Sequence, residues 1–216
     1  MEHMIFKCIL YTILLTFTII FISSAKQFED KRNRIEKIFF YVLFIVQIVR
    51  HITYISMGKF TWLLPFHICN ISGILACVWL YTKNKRLQAP LYFLSFMAAA
   101  ALVYPAVNYS WRSPLYYTFI IDHIVLAFIP IYITIAYRYI PSLTQLFTTL
   151  GGITFLLMIG HLLNKPFREN YFYLSERPLL PQIPLPLYFM FYITLLFICF
   201  NFVRFIGIKI IKYKNT

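Results

Sequence analysis

Residues 116–137 read YYTFIIDHIVLAFIPIYITIAY, an unbroken apolar stretch interrupted by one adjacent pair, Asp122 and His123. A helix of that length crosses a hydrocarbon layer, which takes roughly 20 residues. A surface helix of a soluble protein would alternate an apolar with a polar face, and this stretch is apolar all round. An ionisable side chain at such a depth is expensive and marks either a buried pair or a working site. The stretch therefore predicts a transmembrane helix and, at the same time, where chemistry sits within it.

Six further apolar runs flank it, at 5–22, 38–55, 61–81, 90–107, 144–163 and 185–206. With 61% hydrophobic and only 12% charged residues, a soluble fold would lack the polar side chains to cover its surface. The expected fold is all-α: a polytopic bundle of seven transmembrane helices forming one integral membrane domain over residues 1–216. Residues 5–22 followed by Ser23-Ser24-Ala25 resemble a signal peptide with a small-residue cleavage site. Cleavage would leave the basic cluster Lys26, Lys31, Arg32, Arg34 and Lys37 outside, against its preference for the cytoplasm, so the first span is expected to be retained.

Orientation follows from the basic residues. With the N-terminus outside, the inner segments hold thirteen of the twenty lysines and arginines (Lys26, Lys31, Arg32, Arg34, Lys37, Lys83, Lys85, Arg86, Arg138, Arg204, Lys209, Lys212 and Lys214). The outer segments hold Lys7, Lys59, Arg112, Lys165, Arg168 and Arg177, and Arg50 lies within a span. The positive-inside rule then places the N-terminus outside and the C-terminus in the cytoplasm of a multi-pass protein of the cell membrane. The formal charge of +13 is scattered over connectors and not gathered on one solvated face, so nucleic acid is not an expected partner; membrane lipids are.

In this orientation the histidines converge on the outer side: His3, His51, His67, His123 and His161. Arg50, Cys69, Asn70, Asp122 and Asn164 share that level. Gln47, Arg50, His51 and Tyr54 form one polar stripe along the second span and should face the bundle interior. His67 and Asn70, three residues apart, share a helix face; Cys69, two positions after His67, points away from it in a straight helix, unless Pro65 distorts the turn. An imidazole beside a carboxylate suits a general base, which makes His123 and Asp122 candidate catalytic groups, with His67 and Cys69 beside them. Arg50, His51, Asn70, Gln47 and Asn164 are candidate substrate-binding residues. Arg50 and Asp122 also fit a purely structural ion pair, and His3 and His161 fit the interface. No HExxH or CxxC spacing is present, so neither a metal nor a cofactor is expected. Cys8, Cys69, Cys77 and Cys199 all lie in apolar runs, and no disulfide framework is implied. The long outer connector, 164–184, is either a lid or a plain link.

With these residues placed, the sequence resembles the YwaF-type family of bacterial integral membrane proteins over nearly its whole length. The likeness rests on Glu2-His3, on Gly58-Lys59-Phe60 leading into Leu64-Pro65-Phe66-His67-Ile68-Cys69, and on Asp122-His123. It continues through Asn170-Tyr171-Phe172-Tyr173-Leu174 and Arg177-Pro178 in the outer connector. More distantly the family is similar to eukaryotic TMEM-type membrane acyltransferases and lipid hydrolases related to androgen-induced proteins. That similarity implies a histidine and a nucleophile acting on fatty acyl esters inside the bilayer. For this chain the function expected is a lipid or acyl-ester transferase or hydrolase, with His123 as base, Asp122 orienting or charging it, and Cys69 as nucleophile. The alternatives are a small-solute transporter or substrate-binding membrane subunit using the same pocket, and a structural protein without catalysis.

Overall fold

A computed structural model describes residues 31–64, 66–103, 109, 110, 112–177 and 180–214. The expected first span, 5–22, lies outside the described residues, as do His3, Pro65 and Pro105. Among the described residues the chain is all-helical: α1 (Arg32–Ser56), α2 (Ile68–Thr82), α3 (Gln88–Val103), α4 (Pro114–Ala136), α5 (Leu143–Phe167) and α6 (Leu185–Lys214). Four of them, α1, α4, α5 and α6, are long and apolar enough to cross a membrane.

Local signals set the helix ends. Ser113 caps α4 by accepting from the Leu115 amide, with Pro114 at the first helical position, where its missing N–H costs nothing. Ser142 and Gln145 exchange side-chain and backbone bonds in a capping box that starts α5. α1 begins earlier than the apolar run because Arg32 and Arg34 extend as a charged first turn, exposed on the helix surface.

One expected helix is broken. The apolar run 61–81 predicts one continuous span, but Phe60–Leu63 form a 3-10 turn, Leu64 is extended, and α2 begins only at Ile68. The physical cause is legible at Pro65, whose ring disfavours helical geometry in the residue before it. α2 is left with 15 residues, about 22 Å of helix at 1.5 Å per residue, too short for the roughly 30 Å of hydrocarbon. Irregular backbone at that depth is tolerated where it lines a protein cavity, and here it does.

α4 is the central helix, packed against α1, α2, α3 and α6. Leu126, Ile129, Tyr132 and Ile133 of α4 join Leu43, Trp79, Leu91, Phe93 and Phe200 in a core without solvent exposure. α1 runs antiparallel to both α4 and α2, as its cross-helix bonds show. Near its start Glu36 accepts from Tyr132 (2.8 Å) and Tyr137 (2.6 Å) and pairs with Lys83 (2.5 Å). Fourteen residues later Arg50 pairs with Asp122 at 2.8 Å. Two polar clamps thus tie α1 to α4 about 20 Å apart along α1, and the one at Glu36 also takes in the C-cap of α2. The Glu36 clamp carried no sequence signal beyond an acid at the edge of an apolar run; its partners come from α4 and its C-cap and from the left-handed residue that caps α2, Lys83.

Candidate functional site

The Arg50–Asp122 clamp is closed on itself. Arg50 Nη1 donates to Asp122 Oδ2 (2.8 Å), Gln47 Nε2 donates to Asp122 Oδ1 (3.2 Å), and Arg50 Nη2 donates to Gln47 Oε1 (2.5 Å). All three residues are buried, Asp122 completely. The ring forms because Gln47 and Arg50 lie three apart on α1 and share a face, and because Gly73 of α2 makes room: a Cβ there would meet Gln47 Nε2 at 1.9 Å. A buried charge pair with its remaining lone pairs satisfied offsets much of its desolvation.

Asp122 makes no hydrogen bond to His123. Neighbouring residues on a helix point about 100° apart, so the carboxylate faces α1 while the imidazole faces another way. Of the two expectations for Asp122, the hydrogen bonds are those of the ion pair with Arg50 and not of an orienting contact to His123. His123 is oriented by its own helix: Nδ1 bonds the Phe119 carbonyl at 2.7 Å, and the Phe119 ring lies 4.0 Å from the imidazole, centroid to centroid. A carbonyl only accepts, so in the neutral ring the proton sits on Nδ1 and the lone pair on Nε2. His123 Nε2 is buried and has no hydrogen-bond partner among the described residues.

A cavity of about 70 Å³ collects these groups, lined by Arg50, His67, Cys69 and His123 together with Tyr54, Trp62, Asn70, Tyr109, Leu115 and Phe119. His67 and Cys69 both reach it because His67 is the extended N-cap of α2 (φ −95°, ψ 130°) and Cys69 lies in the first turn. The two-residue helical spacing that separates them therefore does not apply. Asn70 donates to the Trp62 carbonyl (3.2 Å) and ties the 3-10 turn to the helix start. Arg50 Nε, like His123 Nε2, is buried without a partner among the described residues. Two unpartnered buried nitrogens beside one cavity are unusual, since such atoms normally find partners.

The remaining expected site residues fall elsewhere. His51 bonds the Gln47 carbonyl through Nδ1 at 2.6 Å and does not line the cavity. Gln47 acts behind the wall by fixing Arg50. Asn164 is buried on α5, accepting from the Tyr171 amide (2.6 Å) and donating to the Tyr171 carbonyl (3.2 Å). It pins the 3-10 turn Tyr171–Tyr173 and does not line the cavity. That turn packs behind the cavity wall: Tyr171 donates to the Thr61 carbonyl at 2.8 Å and packs edge-on against His67, with ring centroids 5.2 Å apart. Burial, with the Glu169 carboxylate nearby, pushes the Tyr171 phenol up to about 12, so it remains a donor throughout the physiological range. Glu169 accepts from Trp62 Nε1 (3.0 Å) and Thr61 Oγ1 (2.5 Å). Tyr54, Trp62, Tyr109 and Phe119 are cavity residues that sequence reasoning missed as site residues; Tyr54 alone carried a signal, as the fourth member of the α1 polar stripe.

Four membrane-length apolar helices, an all-helical fold among the described residues, a buried ion pair and a cavity beside it that collects two histidines, a cysteine and an arginine describe an integral membrane protein. The family model described as the TMEM164 family matches residues 1–203. The chain belongs to that family, a family of membrane proteins. No curated protein and no solved structure matches the chain.

Proposed function

We propose that the protein is a multi-pass enzyme of the cell membrane, with seven spans and its N-terminus outside, that transfers or hydrolyses the acyl group of a lipid ester in the outer leaflet. The observation that carries this reading is His123 Nε2, an unpartnered basic nitrogen on a cavity that it shares with the Cys69 thiol. A nucleophile and a base on one cavity are the minimum that covalent acyl transfer needs. The resemblance to the YwaF-type family, and through it to membrane acyltransferases and lipid hydrolases, points the same way.

In this mechanism the Cys69 thiol gives its proton to His123 Nε2 as sulfur attacks the ester carbonyl carbon. Collapse breaks the carbon–oxygen bond to the leaving alcohol, which takes the proton from His123, and leaves a thioester on Cys69. An acceptor hydroxyl, or water, then loses its proton to His123 as its oxygen attacks the thioester. The proton returns to sulfur when the thiolate leaves. Arg50, held neutralised against Asp122 and Gln47 with Nε free, and His67 and Asn70 at the start of α2 bind polar oxygens of the lipid. The helix start adds its positive end to the same place.

Replacing His123 with Ala should reduce lipid turnover by at least about 100-fold, a typical contribution of a general base, in protein that stays monodisperse in detergent. Acyl-chain profiles of a deletion strain should change without any defect in solute uptake. Turnover at the wild-type rate in the His123→Ala protein would refute the assignment, and an uptake defect with unchanged lipids would favour transport.

A further inference from the structure

Two phenols face the cavity that the acyl-transfer mechanism leaves unused. Tyr54 follows Arg50 by one turn on α1 and is 6% exposed; Tyr109 comes from the segment preceding α4 and is half-buried. Their hydroxyl oxygens lie 3.5 Å apart, whereas a good O–H···O bond is about 2.7–2.8 Å. They are thus close without properly satisfying each other. Both line the cavity with Cys69 and His123.

That separation suits a shared acceptor. An oxygen about 2.8 Å from each hydroxyl stands at the apex of a triangle whose base is the 3.5 Å gap, with each O–H free to turn toward it. We infer that Tyr54 and Tyr109 form a two-donor cradle for the carbonyl oxygen of the acyl group, which becomes an oxyanion as Cys69 attacks. The inference rests on the acyl-transfer reading of the same site. Neutral phenols suit this role because they donate without carrying a charge that would need burying. In a dry cavity a fixed donor stabilises developing charge far more than in water. The surrounding aromatic wall keeps them in place. Tyr54 packs edge-on against Trp62 with centroids 5.4 Å apart, and Tyr109 packs against Phe119 at 6.1 Å. Phe119 is also the residue whose carbonyl orients His123, so donor and base are positioned through one side chain and its backbone.

The test uses the purified full chain in dodecylmaltoside with p-nitrophenyl decanoate, following the p-nitrophenol burst and the thioester on the Cys69 peptide by mass spectrometry. Tyr54→Phe and Tyr109→Phe should each slow acylation by about 10- to 100-fold and the double variant further, since one lost oxyanion donor typically costs about 10²–10³ in rate and the second partly covers for it. Alkylation of Cys69 by iodoacetamide, which needs the thiolate but develops no oxyanion, should proceed at the wild-type rate in all three. Acylation of the double variant at the wild-type rate would overturn the cradle while leaving Cys69 chemistry standing. Loss of acylation and alkylation together would also overturn it, because the phenols would then be shaping the thiol and not the oxyanion. Absence of any Cys69 thioester in the wild-type protein would overturn the acyl-transfer reading and the cradle with it.

Discussion

Gly73→Ala is the sharpest probe of the Arg50–Asp122 clamp, because the change is one methyl group whose neighbours are known. The added Cβ would stand 1.9 Å from Gln47 Nε2, 3.0 Å from Gln47 Cδ and 3.3 Å from Asp122 Oδ1. Ordinary contact begins near about 3.5 Å, so the Gln47 amide must withdraw by about 1.5 Å. It cannot do so and keep its bonds of 3.2 Å to Asp122 and 2.5 Å from Arg50. Each bond to a charged group contributes about 1.5–3 kcal/mol. Some recovery by rearrangement is expected, leaving a net loss of about 2–4 kcal/mol. Arg50 and Asp122 remain paired, so the protein still folds. Equilibrium unfolding by SDS in mixed micelles, read by tryptophan fluorescence, measures the loss. Gln47→Ala removes the obstructing amide, so the double variant Gly73→Ala/Gln47→Ala should be no less stable than Gln47→Ala alone. Losses that simply add, or a Gly73→Ala protein as stable as wild type, would refute the packing argument.

Breaking the ion pair itself with Arg50→Met should destabilise by about 3–5 kcal/mol because it strands a buried carboxylate; Arg50→Met/Asp122→Leu should recover most of that in the same titration, and no recovery would count against an isolated clamp. At the other clamp, Glu36→Leu should cost about 2–3 kcal/mol, since it removes the acceptor shared by the Tyr137 and Tyr132 hydroxyls. Lys83→Met should cost less, about 1–2 kcal/mol, because the Lys83 side chain is 40% exposed and screened and the buried Glu36 carboxylate keeps its two phenol donors; equal losses for the two would show that the ion pair, not the phenols, holds that clamp. Gly160→Ala would place a Cβ 2.7 Å from the Phe172 ring, and Phe172 already sits at φ 57°. The 169–174 segment should loosen, seen as faster amide exchange there by mass spectrometry with α1 and α4 unchanged; wild-type exchange would show that the ring moves aside freely.

The helical membrane class was legible in the amino-acid order alone. A span such as 116–137 is apolar on every face, and that pattern has one solvent in which it is stable. Also legible were the residues too costly to be incidental, because Asp122, His123 and Arg50 stand out against their surroundings whatever the packing. The same reasoning left the partners open. The sequence offered Asp122 two partners, His123 by adjacency and Arg50 as a buried ion pair; a helix turns neighbours apart, and the carboxylate bonds Arg50 and Gln47. Helical spacing separated Cys69 from His67 unless Pro65 distorted the turn; the break before Ile68 puts His67 in extended backbone and both on one cavity. Asn164 shared the right depth but faces Tyr171. Depth in a membrane is written along each helix by composition, residue by residue. Rotation about the helix axis, and which orphaned polar atoms meet across a gap, are absent from that record, because they are set by how α1, α2 and α4 pack together in three dimensions.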